Sequence, residues 1–543
     1  MDEVDGKCKT SSEKEKDEII FKSPFYKKAI GLEVPNVSLP KLLFSALDKI
    51  YDVVKDNIWV MDVIKETSYK FSDIKPLTTR FASALTRIGF KKEEYKRQML
   101  ETSARFIVCD PETAPSVKWA AGQLDWPTNL LSIGGEVEGA TSVEEMIETD
   151  DGTAFPHDME INSKEDILAI PNTSGSTGVP KGAMHSHYNF ISLFLSLNSC
   201  GATEMDEMIG KSVLTSMGNF GVAGLGSLCR SIASGYSNYS ISKFDHRKFV
   251  DYLLKFKPSG LYIYPYVASW LARAPELNAD DFSFIRRISL VGTVMDLATA
   301  KILSSKLPQM QLTQSFAMSE TLILASSELT KLSDTTSDKE EKVAGLKYKK
   351  LGEEYHVSSG ILLPLVEAKI VDSESRCTVG HNKRGSLWIR CPYIMKGYLR
   401  TNSAKGYVSQ LDEEGWLDTG DLAFIDETFH LYVLERRNFI FKYYTHQVSP
   451  AELEAVIGEH PAVLSVGVVG IPNPITTSVA RAFVVLRPGC QATEEEIKSY
   501  VAERKEFYKH LHGGVEFVDY LPENRGGKLD RNALVNRAIS NKK

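Results

Sequence analysis

The stretch PNTSGSTGVPKG at residues 171–182 decides how the rest of the chain is read. It follows a short apolar run, ILAI (167–170), and is built mostly of hydroxyl-bearing and small residues before closing on Pro180-Lys181-Gly182. Small residues let backbone N–H groups approach a phosphate chain, hydroxyls add donors, and a lysine adds positive charge. The run is not a Walker A loop, which needs G-x4-G-K-[ST]: Gly175 and Gly178 are too close together, and Gly182 follows Lys181. A Gly/Ser run alone is more often a plain linker. The preceding strand and the Pro-Lys-Gly ending set this one apart, and make Thr173, Ser174, Gly175, Ser176, Thr177, Gly178 and Lys181 candidate phosphate-binding residues.

Outward from the loop, β-rich runs (LYIY 261–264, ISLV 288–291, AKIV 368–371, LWIR 387–390) alternate with helical stretches, which predicts mixed α/β layers. Upstream, Phe44, Leu47, Ile50 and Val54 recur at helical spacing. The polar run TKLSDTTSDKEEK (330–342) reads as a surface loop. Beyond Glu435 lie two strand-like runs, VLSVGVVGI (463–471) and AFVVL (482–486). A capping box of Thr493 and Glu496 opens a helical run, EEEIKSYVAERKEF (494–507). Together they predict a small α+β unit of about 105 residues.

At 543 residues the chain needs two or three folding units. Its 43% hydrophobic and 25% charged residues are those of an ordinary globular protein. A net charge of −7 and a pI of about 6.0 argue against a nucleic-acid-binding surface, so no nucleic-acid partner is expected. The seven cysteines are odd in number, scattered and without a CxxC pair, which argues against a disulfide framework or zinc site and fits a reducing compartment. Residues 1–18 are charged, lack the apolar core of a secretion signal and read as a disordered tail. No apolar run reaches about 18 residues, so no membrane span is expected. The ending ISNKK is not a peroxisomal SKL-type address, leaving a cytoplasmic monomer as the expectation.

Further motifs make the chain similar to the adenylate-forming superfamily: acyl-CoA synthetases, peptide-synthetase adenylation domains and beetle-type luciferases. It most resembles the 4-coumarate–CoA ligase and luciferase-like branch. The string TSGSTGVPKG carries the family's phosphate-loop signature. In family order follow Phe316-Ala317-Met318-Ser319-Glu320, GWLDTGD (415–421), Glu435-Arg436-Arg437-Asn438, QVSPAELE (447–454), IPN (471–473) and a Pro522…Gly527-Lys528…Arg531 segment. The likeness runs over about residues 30–540.

That resemblance implies an α/β fold with a large N-terminal domain of mixed sheets and helices (19–434), a hinge (435–438) and a small mobile α+β C-terminal domain (439–543). It implies a ligase that joins a small-molecule carboxylic acid to AMP with release of pyrophosphate and then transfers the acyl group to coenzyme A. ATP, Mg2+ and coenzyme A are the expected cofactors and partners.

The implied roles agree with the chemistry of the residue types. Glu320 offers hard oxygen ligands to Mg2+, although a lone glutamate is usually a solvated surface group. Phe316 offers a face to adenine or simply packs in a core, and Ser319 lies beside the nucleotide. Asp421 has two acceptor oxygens for a ribose diol; in isolation it reads as a turn-forming Asx residue. Arg436 is a donor fork for ribose or phosphate, or a surface ion pair. Lys528, on the Gly-rich tip NRGGKLDR, would stand between carboxylate and α-phosphate in the transition state; local sequence alone makes it a flexible loop lysine. With Lys181 and Arg436 it forms the expected catalytic set. Phe220, Val291, Gly292 and Ala317 are the expected acid pocket, and Lys442 and Thr445 the expected face for the coenzyme A step.

The chain departs from the family in five places. A few dozen residues that relatives carry between the regions of Lys92 and Tyr95 are missing. The segment 215–221 has no histidine, and Val291-Gly292 replaces a Gly-Gly pair. Tyr444-Thr445 replaces a Lys-Gly type turn, placing a β-branched residue where glycine would supply a positive φ. Asn438 stands where a charged hinge residue is usual. A non-catalytic relative and an enzyme that stops at the adenylate are therefore the competing readings, with luciferase-like oxygenation a further specialisation. Retention of Lys181, Glu320, Asp421, Arg436 and Lys528 favours the active ligase.

Overall fold

The computed structural model describes residues 18–88, 105–122, 124, 126–173, 181–200, 208–219, 221–241, 244–332, 341–352, 354–399, 407–523 and 529–540. The phosphate-loop stretch joins two short antiparallel strands, β1 (Ile167–Ala169) and β2 (Ala183–Ser186), with Ile167 opposite Ser186. An Asn172–Gly182 bridge carries the pairing to the mouth of the loop. A Cβ on Gly182 would lie 2.7 Å from Ile170 Cγ2, so only glycine lets the two sides approach this closely.

Downstream, β3 (Ser212–Thr215), β4 (Ser237–Ser240), β5 (Gly260–Ile263), β6 (Arg287–Val291) and β7 (Gln311–Met318) pair in parallel, in the spatial order β4-β3-β5-β6-β7. Helices such as His246–Phe256, Pro265–Arg273 and Leu297–Lys306 pack on them, burying Phe249, Leu253, Leu271 and Leu303 against Leu261, Ile288 and Leu290. Covered strands read as apolar runs, which is why LYIY and ISLV were legible. The chain then reverses into β8 (Leu322–Ser326), antiparallel to β7. β9 (Gly397–Leu399) joins β2 in a separate small sheet. β10 (Leu417–Ile425) and β11 (His430–Arg436) extend the antiparallel half of the large sheet, 15 strands among the described residues.

The upstream helix is α1 (Leu39–Val54), longer than its apolar spacing predicts. Ser38 caps it by accepting from the Lys41 N–H, and Pro40 fits its first turn, so it starts before Phe44. Its buried seam is Leu39, Leu43, Leu47 and Val54, with Phe44 and Ile50 at the margin of the same core. Of the polar run at 330–342, residues 333–340 lie outside the described residues, as does the 92–95 junction.

After β11 come β12 (Phe441–Tyr443) and β13 (His446–Val448), then the long hairpin Val463–Asn473 and Thr477–Leu486. These strands, with helices Pro450–Gly458, Glu494–Ala502 and Arg531–Ser540, enclose their own core of Val448, Leu453, Ile457, Val468, Phe483, Ile497 and Leu534. The Thr493–Glu496 capping box is present, but its helix stops at Ala502 rather than running to 507. Lys505 leaves the helical path to pair with Glu452 at 2.7 Å and with Glu354 at 3.4 Å, and Lys509 meets Glu452 at 2.6 Å. Arg384 also meets Glu354, at 3.3 Å, so this charge cluster ties the C-terminal region to the preceding one. The six described cysteines are free, and no helix among the described residues is long and apolar enough to cross a membrane.

Candidate active site

Two ends of the phosphate loop are described, Thr173 and Lys181; Ser174, Gly175, Ser176, Thr177 and Gly178 lie outside the described residues. The Thr173 N–H donates to the Lys181 carbonyl (2.8 Å), and the Lys181 N–H donates to Thr173 Oγ1 (3.2 Å), closing the mouth. The exposed Lys181 side chain places Nζ 5.1 Å from the centre of the Tyr398 ring. The Tyr398 hydroxyl donates to Glu320 Oε1 at 2.5 Å. One aromatic side chain from β9 therefore links the loop cation to the carboxylate expected to bind metal. Burial, then the Glu320 charge, pushes the Tyr398 phenol up, so it stays a donor.

Ser319 and Glu320 form the turn between β7 and β8. The Glu320 carbonyl accepts from the Met395 N–H at 2.8 Å, and the Ser319 carbonyl faces His185 Nε2 at 2.6 Å. Burial holds the His185 imidazole down at about 4, despite the carbonyl and the Glu320 charge, so the ring is neutral at physiological pH.

Val291 and Gly292 lie at the carboxyl end of β6, beside Ser315 of β7; Phe316 and Ala317 follow at a bulge. The carboxyl ends of parallel strands are where open α/β sheets bind ligands. Gly292 has φ +106, which explains glycine there. Val291 is 2% exposed and Phe316 is half-buried against the larger core, while Phe220 lies outside the described residues. If Val291 walls the acid pocket, Val291→Gly should shift acceptance toward bulkier acids, by about 1–3 kcal/mol per methylene accommodated. An acid profile identical to the parent's would place the pocket elsewhere.

Asp421 and Arg436 stand opposite each other on β10 and β11, with Arg436 Nε 2.9 Å from Asp421 Oδ1. Arg436 also donates to the Thr419 carbonyl at 2.9 Å. Asp421 is buried and is thus held in one orientation by a fixed donor. Arg437 pairs with Asp418 at 2.6 Å. Glu435, whose carboxyl burial pushes up, accepts from Ser449 Oγ and the Ala451 N–H at the start of the next helix. Asn438 is exposed in a short turn between these two anchored regions.

Lys528 lies outside the described residues, but its flanks do not: Glu523 and Leu529 form a bridge, and Arg531 is fixed by Glu454 and the Val468 carbonyl. Burial, then the Glu523 charge, pushes up the phenol of Tyr266, in the first turn after β5. Glu523, at one flank of that segment, thus lies within electrostatic reach of Tyr266.

Lys442 is exposed on β12, and Thr445 is exposed in the tight turn to β13. The residue with positive φ in that turn is Tyr444 (+52), not Thr445. The backbone strain expected at Thr445 is absent, and its added side-chain bulk remains.

These groups suit ATP by chemistry: a closed loop mouth with a lysine, a carboxylate at the adjoining turn, and a buried, oriented carboxylate farther along. Sequence reasoning missed Tyr398 and His185. A histidine in the otherwise apolar start of AMHS (183–186) was the signal for one of them.

A family model described as AMP-binding enzyme matches residues 63–399, and one described as AMP-binding enzyme C-terminal domain matches residues 452–528. The chain belongs to the AMP-binding enzymes, the adenylate-forming superfamily. A 4-coumarate–CoA ligase-like protein of Arabidopsis thaliana is 26% identical over 581 residues, covering 98% of this chain and 100% of that one. That matched length exceeds the 543 residues here, so the relative carries residues that this AMP-binding enzyme lacks. A luciferin 4-monooxygenase of Nipponoluciola cruciata is 30% identical over 379 residues, covering 69% of this chain but only 64% of the luciferase. In fold, an anthranilate–CoA ligase in complex with anthranoyl-AMP matches with TM-score 0.75 at 20% identity, covering 95% of this chain and 99% of that one.

Proposed function

We propose that this AMP-binding enzyme activates a carboxylic acid as its acyl-adenylate, releasing pyrophosphate, and then passes the acyl group to coenzyme A. The observation that carries the reading is the Lys181–Tyr398–Glu320 contact, which gathers a phosphate-binding cation and a metal-binding carboxylate at the mouth of one Gly/Ser loop. Lys181 and the loop hydroxyls hold the triphosphate, and Asp421, oriented by Arg436, accepts from the ribose hydroxyls. A magnesium ion on Glu320 would supply charge neutralisation of the phosphate oxygens. Lys528 screens the repulsion between the attacking carboxylate and the α-phosphate. The acid lies against Val291, Gly292, Ala317 and Phe220, and the enzyme works in the cytoplasm as a monomer.

Carboxylate-dependent exchange of pyrophosphate into ATP tests the first step, across a panel of fatty, aryl and small acids. ATP binding without exchange for any acid would reduce the chain to a non-catalytic relative. The second step is tested by coenzyme A dependence of product release. Residues 439–543 rotate about Asn438 between the steps, bringing Lys442 and Thr445 to the thiol passage. Thr445→Gly should then speed acyl transfer and leave first-turnover pyrophosphate release unchanged, because the turn touches neither ATP nor acid. A parent enzyme that transfers to coenzyme A as fast as it adenylates would show that Thr445 obstructs nothing.

A further inference from the structure

We propose that His185 is a positioning residue, whose Nε2–H holds the Ser319 carbonyl and so fixes where the next residue, Glu320, aims its carboxylate. The inference rests on the reading of Glu320 as the magnesium-binding carboxylate.

His185 lies on β2, four residues beyond Lys181, and is 0% exposed. Its Nε2 is 2.6 Å from Ser319 O, across 134 residues of sequence. A carbonyl only accepts, so Nε2 carries the proton and Nδ1 is left with a lone pair. That Nδ1 is buried and has no hydrogen-bond partner among the described residues. Leaving a buried acceptor unpaired costs stability, and a leucine or phenylalanine beside Phe190 would avoid the cost. The ring is thus a poor choice for packing and a good one for its single bond.

Glu320 is otherwise held from one neighbouring stretch. Met395 N–H donates to its carbonyl at 2.8 Å, and the Tyr398 hydroxyl donates to its carboxylate at 2.5 Å. That stretch pairs with β2, Met184 opposite Gly397 and Ala183 opposite Tyr398. All three restraints therefore come from the small sheet that carries the phosphate loop or from the residues leading into its β9. His185 is the one supplied by the loop's own strand, and it makes loop and carboxylate a single unit. Partners behind a metal ligand set its orientation and tune metal affinity.

The test uses the full chain with His185→Leu and His185→Gln. Binding of Mg·ATP is measured by calorimetry without acid, the Mg2+ dependence of pyrophosphate exchange is measured with acid, and thermal unfolding is followed for each variant. His185→Leu should unfold no earlier than the parent, keep its KM for the acid, and need roughly 10- to 100-fold more Mg2+ for half-maximal exchange, with matching loss of Mg·ATP affinity. His185→Gln, whose amide reaches the same carbonyl, should recover most of the loss. Should His185→Leu fail to fold, His185→Phe fills the ring volume without a donor and carries the same test. A folded donorless variant within twofold of the parent in both Mg2+ measurements overturns the role of His185 alone. A parent chain that binds no Mg·ATP overturns this inference together with the ligase reading.

Discussion

Lys528→Ala should slow acyl-adenylate formation by roughly 10²- to 10³-fold, the effect of deleting one preorganised charge-stabilising donor. A carboxylate attacking the α-phosphorus brings two anions together, so much of the barrier is repulsion. A cation that meets both only as the bond forms lowers that barrier without tightening the ground state. The base of the tip is rigid: Asp530 N–H donates to the Pro522 carbonyl at 2.8 Å, and Arg531 is locked by Glu454. Between these anchors the sequence is short and Gly-rich, Asn524 to Lys528. The discriminating measurement compares pyrophosphate exchange with transfer from supplied acyl-AMP to coenzyme A. Exchange should collapse and transfer persist. Equal loss of both would mean that the substitution damages the C-terminal region as a whole, and the assignment would fall.

Asp421→Ala should weaken ATP binding by about 2 kcal/mol, the size of a hydrogen bond to a charged group, or roughly 30-fold in dissociation constant. The structure adds a complication that the residue type alone did not reveal. Asp421 is buried and carries Arg436 at 2.9 Å, so alanine also strips a partner from the arginine and should lower stability. Asp421→Asn separates the effects, keeping the shape while removing the charge. ATP affinity, read by calorimetry on folded protein, should fall in both variants, and thermal stability should fall most in the alanine variant. Unchanged ATP affinity in a folded Asp421→Ala protein would reject a ribose role and leave the pair purely structural.

The residues of the candidate site lie in short strings, and that is why they were legible. Phe316 to Glu320 and Thr419 to Asp421 each lie at a turn or near a strand end, where local backbone chemistry constrains residue type over a few positions. The strands of the parallel layer were legible for a related reason: their burial leaves largely apolar runs such as 288–291, broken only by Ser289. The Thr493 capping box was visible because its two partners are three residues apart.

What only the tertiary structure decided are the features whose partners are far apart in the chain. Tyr398 reaches Glu320 across 78 residues and His185 reaches Ser319 across 134, and no local pattern names either partner. The helix ends at Ala502, and beyond it Lys505 turns to acidic groups at positions 354 and 452. The turn after β12 put its positive φ on Tyr444 because cross-strand register, Tyr443 against His446, with the Tyr444 N–H on the Thr476 carbonyl at 2.7 Å, fixed which residue must bend. The amino-acid sequence by itself thus determined the fold class and the family, because these rest on local spacing and burial pattern. The tertiary structure decided which groups hold one another, because a hydrogen bond of under 3 Å depends on the packing of whole elements.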